Sequence, residues 1–265
     1  MGSFRYTWLI VFCFVMHFPT AMRAQAPKAA TDTINADRPD QTESPHIVSW
    51  HKLQIEVGAI VNPFDSSGGK TPVIGMAVLR YGLSRRLELR LMAEDGRDRD
   101  RYIEETTQGV YPLGVGGKCL LLERKSGLVP QMALLAWLKL PVTSRSADQA
   151  AYWSPQILMA FENKISEVFE LEYNLGAKQD AYDTRWQSMG SASLHISLNN
   201  RLKLFVEYFG HYQHAEDPVH NADAGLLYLV SPSVQLDMAL GRSVSAPHDK
   251  MNSFGTIGCA LLLPG

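Results

Sequence analysis

The chain has 265 residues, with 25 Lys and Arg against 27 Asp and Glu and a formal charge of −2. This balance offers no basic stripe for a phosphate backbone, so no nucleic-acid partner is expected. Cys13, Cys119 and Cys259 are the cysteines; they have no Cys-x-x-Cys spacing, which excludes a disulfide scaffold and a paired-thiolate metal site.

Residues 1–26, MGSFRYTWLIVFCFVMHFPTAMRAQA, read as an export signal. Arg5 leads, an apolar core runs from Trp8 to about Phe18, and small residues follow, with cleavage after Ala24 or Ala26. The core is too short for a membrane helix, and Phe12 before Cys13 argues against lipidation. A polar stretch, 27–50, comes next. Pro39 and Pro45 keep it from becoming a helix or a central strand, and it is expected to be a periplasmic leader or a plug.

From residue 51 to the end the pattern has period two. LQIEVGAIV places Leu53, Ile55, Val57, Ala59 and Val61 on one face, with Gln54 and Glu56 on the other. AVLRYGLSRRLELRL repeats the pattern around a turn near residue 84, with Arg80, Glu88 and Arg90 opposite the leucines. A helix would scatter these groups at its 3.6 period, so the alternation predicts hairpins. The segments ending in GVGGKCLLLE, MALLAWLKL, ILMAFEN, FELEYNLG, SASLHISL, LKLFVEYFG, GLLYLV and VQLDMALG behave alike.

Strands are predicted at 51–62, 73–83, 86–92, 110–123, 128–140, 153–163, 166–176, 185–197, 200–210, 221–230, 233–241 and 252–263. Short turns near 84, 125, 164, 199 and 232 alternate with longer connections at 63–72, 93–109, 141–152, 177–184, 211–220 and 242–252. Short turns on one rim and long loops on the other are the layout of an outer-membrane barrel of about twelve antiparallel strands. Tyr81, Trp153, Trp186, Tyr208 and Tyr228 are placed where an interfacial girdle would want them.

By phase, Arg80, Glu88, Arg90, Lys118, Lys139, Glu162, Glu170, Glu172, Lys203, Glu207, Asp223 and Asp237 face inward. A dry core would not accept so many charges, whereas a water-filled lumen lets them pair. They are the expected lumen-lining or selectivity residues.

Glu170 and Glu172 share a face as acid/base pairs do, but an ion-pair lattice with nearby lysines and arginines lining a pore is the preferred reading. His195 with Ser193 or Ser197 is a nucleophile–base set of weak promise, because same-face neighbours on a strand are about 7 Å apart. His211, His214 and His220 are read as belonging to a solvated external loop. GVGGK lacks P-loop length. No catalytic residue, metal ligand or cofactor is therefore expected.

Several phrases in order, ADRPDQTESP, LQIEVG, LRYGLSRRLELRL, PLGVGGK, LFVEYFG and DAGLLYLVSPSVQLDMALG, resemble the outer-membrane transporter-like family named after the meta-cleavage pathway of phenol degradation. The resemblance spans Ile34 to the C-terminus. It rests on Asp37, Arg38, Pro39, Asp40, Gln41 and Glu43; on Arg80, Tyr81, Gly82, Arg86, Glu88 and Arg90; on Glu207, Tyr208 and Gly210; and on Asp223, Gly225, Pro232, Gln235, Asp237 and Gly241. It implies a barrel in the Gram-negative outer membrane that takes up aromatic or other hydrophobic compounds. The terminal CALLLPG departs from many barrels in lacking a final aromatic.

The expectation is a transmembrane antiparallel β-barrel over 51–265 for passive passage of small, hydrophobic or aromatic solutes. Its partners would be outer-membrane lipid, the solute and the barrel assembly machinery, and a monomer is expected. A barrel enzyme acting on lipid or glycan, a nonconducting structural barrel and a soluble periplasmic β-sheet binding module are the alternatives. Asp37, Arg38, Asp40 and Glu43 have the chemistry to pair with Arg80, Arg90, Lys118 and Glu88, as a plug or latch would.

Overall fold

The computed structural model describes residues 33–65, 73–99, 106–110, 112–123, 129–141, 152–180, 184–247 and 252–265. The expected export signal, the turn near 125 and the tips of several long connections lie outside these residues. The strands are β1 (Leu53–Asp65), β2 (Val73–Gly82), β3 (Leu87–Arg99), β4 (Thr106–Val110), β5 (Gly114–Leu122), β6 (Gln131–Lys139), β7 (Ser154–Lys164), β8 (Phe169–Gln179), β9 (Trp186–Ser197), β10 (Leu202–Gln213), β11 (Val219–Ser231), β12 (Val234–Ser245) and β13 (Asn252–Leu263).

All neighbours pair antiparallel, and β1 pairs with β13 while β2 pairs with β3, so the sheet closes. β3 carries β5 along its first half and the short β4 along its second, so β4 and β5 fill one position between β3 and β6. The result is a closed barrel of twelve positions. Closure removes the edges that an open sheet would leave unpaired, a requirement for a sheet in lipid.

The strands run further into the long-loop side than the sequence pattern indicates. β3 continues to Arg99 rather than 92, β10 to Gln213 and β12 to Ser245. Apolar alternation ends where the membrane ends, but backbone pairing does not need it, so hairpins project beyond the apolar band. His211 and His220 consequently lie on β10 and β11, not in a loop, and the connection between them turns at Ala215, which has φ 63°.

The two faces of the wall have opposite chemistry. Leu79, Leu89, Leu91, Ile157, Leu175, Val206, Leu236, Leu240 and Ile257 point outward and are exposed. Tyr81, Trp153, Trp186 and Tyr228 are exposed at strand ends, and Tyr208 sits mid-strand. Inward positions instead hold Gln54, Glu56, Arg80, Glu88, Arg90, Lys118, Glu162, Glu172, Glu207, Asp223 and Asp237, all buried. Water would penalise the outer face and lipid the inner one, and only a membrane-spanning barrel suits both.

Leu240, at mid-strand on β12, is 70% exposed and tests this reading. Leu240→Arg should lower the unfolding free energy by about 2–4 kcal/mol in urea titrations of the protein in lipid vesicles. Leu240→Ile should leave it nearly unchanged.

Candidate functional site: a charged interior crossed by the N-terminal hairpin

Residues 34–48 enter the barrel from the short-turn rim and return to it. Ile34 N–H donates to the Pro232 carbonyl in the β11–β12 turn, while Trp50 bridges Gly82 and His51 N–H donates to the Gly82 carbonyl beside the β2–β3 turn. Ile34 and Val48 pack with Ala260 and Leu262, and Ala36 and Leu229 flank them. This small apolar cluster ties the two legs of the excursion together at the rim. The Arg38–Pro39 peptide is cis.

On the wall formed by β1, β2, β3 and β5, the cations belong to the barrel. Arg80 bonds Glu88 through Nε at 2.9 Å and Glu56 through Nη1 at 2.7 Å, and its Nη1 lies 3.0 Å from Asp37. Arg90 reaches Glu88 at 2.5 Å, Glu43 at 2.8 Å, and Asp37. Lys118 Nζ donates to Asp37 at 2.8 Å and to the Ser44 carbonyl at 2.6 Å. The hairpin thus brings Asp37 among three cations. Arg80 is 1% exposed and Lys118 0%, so without such partners each would be a buried, uncompensated charge.

On the opposite wall the barrel supplies most of the carboxylates, and the hairpin supplies donors and one carboxylate, Asp40. Glu207 accepts the Gln41 and Thr42 N–H groups at 2.8 and 2.7 Å and also bonds the Thr42 hydroxyl. Asn174 accepts from Glu43 N–H and donates to the Glu43 carbonyl. His46 bonds Glu162. Asp40 lies 3.0 Å from His195 Nε2. Arg38 crosses to Asp237 at 3.2 Å and to Thr256 at 2.8 Å. Its guanidinium lies against Gly58 and Gly258, where a Cβ at either position would overlap it.

Of the twelve charged residues placed inward by phase, nine are buried and three lie outside this network. Lys139 pairs with Glu94 at 3.3 Å nearer the long-loop end, and Lys203 is 3.8 Å from Glu170 at the other rim. Period two alone did not single out Gln54, Glu56, Thr42, Ser44, His46 or Asn174 as members of the network. Gln54, Glu56 and Asn174 carried the same inward phase and were legible as inward residues. The hairpin residues were not, since an irregular segment has no phase.

Ser193 Oγ lies 3.1 Å from His195 Nε2, closer than the spacing of Cα atoms along one strand suggests, because both side chains lean together. Asp40 approaches that same nitrogen. A nucleophile–base–orienter set needs the carboxylate on the other ring nitrogen, so this is not a relay geometry.

Above the charged layer, towards the long loops, the interior becomes apolar. Val78, Leu135, Trp137 and Leu158 cluster with Met76, Met92 and Met189. Across the barrel Phe209 and Phe254 lie 6.1 Å apart. Arg90 sits 5.9 Å from the Trp137 ring, where the two layers meet.

Asp37 and Glu43 share one set of cations and titrate oppositely. Burial would raise Asp37, but Arg80, Lys118 and Arg90 hold its carboxyl well below the usual range. Burial pushes Glu43 up to about 7, with Arg90 and Lys118 opposing and Asp37 assisting. Burial would lower His46, yet its bond to Glu162 and the charges of Glu162, Glu172 and Glu170 raise it.

The pH dependence of the docked hairpin follows from these directions. A carboxyl raised on docking contributes stability fully present below its free value, near 4.5, and lost as pH rises through about 7. A histidine raised on docking contributes below its free value, near 6.5, and loses this above it. Hydrogen exchange of residues 37–44 should therefore quicken as pH rises from about 5 to 8, after correction for the intrinsic rate. Glu43→Gln should remove the lower part of that transition.

Residues 36–248 match the family described as "Putative MetA-pathway of phenol degradation". Among curated proteins none matches the sequence. Among solved structures, the fold is similar to an outer membrane channel from Pseudomonas putida F1, with TM-score 0.65 and 14% identity over 85% of this chain and 99% of that one. The KdgM porin in complex with disordered oligogalacturonate is similar at TM-score 0.53 and 9% identity, covering 78% and 98%. The translocator domain of the autotransporter NalP from Neisseria meningitidis gives 0.51 and 11%, covering 79% and 88%.

Proposed function

The chain belongs to this phenol-degradation family of Gram-negative outer-membrane barrels, and from that premise we propose that it is a passive channel for small solutes, apolar ones favoured, latched by its own N-terminal hairpin. The observation that carries the reading is the two-layered interior. A solute entering from the long-loop side passes the half-buried Lys139–Glu94 pair and then a band of Met76, Val78, Met92, Trp137, Leu158 and Met189 before it reaches the charged layer. Such a lining offers dispersion contacts to an apolar or aromatic molecule and little reward to a strongly hydrated one. The similar outer membrane channel from Pseudomonas putida F1 supports the channel class and leaves the solute open.

The hairpin stands in the way on the short-turn side. Its bonds run to β1, β2, β3, β5, β7, β8, β9, β10, β12 and β13, most of the circumference. Passage therefore needs the hairpin to loosen or the solute to slip beside it. Arg80 and Arg90 on one wall and Glu172 on the other, all covered by the hairpin, together with Glu170 beyond it at the short-turn rim, are the candidates for ion selectivity once it moves.

Deletion of residues 32–45, in protein that still shows the electrophoretic shift of a folded barrel, should raise single-channel conductance substantially in a planar bilayer. Unchanged conductance would reject the latch. In the deleted channel, Arg80→Gln with Arg90→Gln should move the reversal potential towards cation preference, and Glu170→Gln with Glu172→Gln the opposite way. Liposomes carrying the channel should admit small aromatic solutes faster than sugars of similar mass, and Trp137→Ser with Leu158→Ser should erase the difference.

A further inference from the structure

One group of interior residues has too many acceptors for the donors present. His195 on β9 brings its Nε2 within 3.0 Å of Asp40 Oδ2, 3.1 Å of Ser193 Oγ and 3.7 Å of Glu172 Oε2. A single ring N–H points in one direction and serves one of these oxygens well. Asp40, Glu172 and His195 come from three separate elements, the hairpin, β8 and β9, and their ligand atoms all lie within 4.8 Å of one another.

A second observation comes from the neighbouring strands. Asp223 is 7% exposed, and among the described residues its carboxylate finds no basic or amide donor, only the facing carboxyl of Glu207. It faces inward on β11 directly across from Glu207 on β10, whose register partner on β9 is Ser193 and whose carboxylate binds the residues following Asp40. Asp40 is within electrostatic reach of Glu172, Glu207 and Asp223. Two carboxylates thus converge on one imidazole, with the carboxylates of Glu207 and Asp223 on the adjoining strands within electrostatic reach of Asp40. The nearby cations are turned elsewhere, Lys203 towards Glu170 and Arg38 towards Asp237. Like charges facing each other across a sheet are destabilising, and an unpaired buried carboxylate is costly.

We propose that the tip of the N-terminal hairpin completes a binding site for one divalent metal ion of the zinc class. Asp40, Glu172 and His195 are its ligands, and Glu207 and Asp223 are its outer carboxylates. The donor set selects the metal. Calcium and magnesium favour all-oxygen shells, whereas zinc takes imidazole nitrogen together with carboxylate oxygen. Zinc bonds of about 2.0–2.2 Å in a tetrahedron separate ligand atoms by about 3.4 Å. The observed 3.0 and 3.7 Å bracket that edge. Phe205 stacks on the His195 ring at 5.8 Å and holds its orientation. The ion would supply the positive charge that this wall lacks, and it would pin the hairpin at Asp40, across the barrel from the grip of Arg80, Arg90 and Lys118 on Asp37.

The test uses the full-length protein in detergent, stripped with a chelator, dialysed against Zn²⁺ and assayed for bound metal by mass spectrometry. Wild type should retain about one zinc ion per folded barrel with tetrahedral coordination. Asp40→Asn, on the hairpin rather than the wall, and His195→Gln should each lose it. Asp223→Asn should weaken binding by about 10–100-fold, as outer-shell changes do. The heat-dependent electrophoretic shift shows that each variant is a folded barrel, which keeps a loss of zinc from being a loss of fold. Absence of zinc from folded wild type, equal retention by Asp40→Asn and His195→Gln, or displacement by equimolar Ca²⁺ would overturn the site. Wild-type affinity in Asp223→Asn would overturn the outer-carboxylate assignment.

Discussion

The contact on which the interior depends is the one between Asp37 and the cations Arg80, Arg90 and Lys118. Three positive side chains, all essentially without solvent, converge on one carboxylate that the barrel wall does not itself provide. Glu56 and Glu88 neutralise part of the charge from the wall. The remainder is met by Asp37 and Glu43, both on the hairpin. Breaking a buried pair by removing one partner costs about 3–5 kcal/mol, so withdrawal of the hairpin must be accompanied by entry of water.

That arrangement sorts the hairpin electrically. Asp37 and Glu43 turn to the basic wall, its backbone N–H groups, Thr42 hydroxyl and His46 turn to the acidic wall of Glu162, Glu172 and Glu207, and Asp40 meets an imidazole of that wall, His195. A segment of uniform charge would be repelled from one side or the other. The observed order holds it across the lumen with few apolar contacts beyond the cluster of Ile34 and Val48 at the rim. An anchor of this kind is sensitive to pH and salt, unlike one made by burying apolar area.

The apolar layer above the hairpin sits on the same strands as the charges. On β2 the inward series is Met76, Val78, Arg80, and on β3 it is Met92, Arg90, Glu88, so chemistry changes along the barrel axis within two or three inward positions. Trp137 and Arg90 mark the boundary. The apolar band thus lies between the Lys139–Glu94 pair towards the long loops and the charged layer that holds the hairpin.

Much of this was legible in the chain. Side-chain direction in a strand is local and has period two, so Arg80, Glu88, Arg90, Glu162, Glu172, Glu207, Asp223 and Asp237 could be placed on the face opposite the leucines from sequence alone. The short turns likewise dictated that successive strands pair antiparallel, and the even strand number followed. What only the tertiary structure decided was which inward residues are neighbours around the barrel and at what height. Those depend on the stagger summed over every strand pair, which no local pattern contains. Glu207 faces Asp223 and Ser193, and Asp40 meets His195, for that reason. The path of residues 34–48 belongs to the same class. Two prolines exclude regular structure there, but only the closed ring of paired strands creates the buried charges that draw the segment inside.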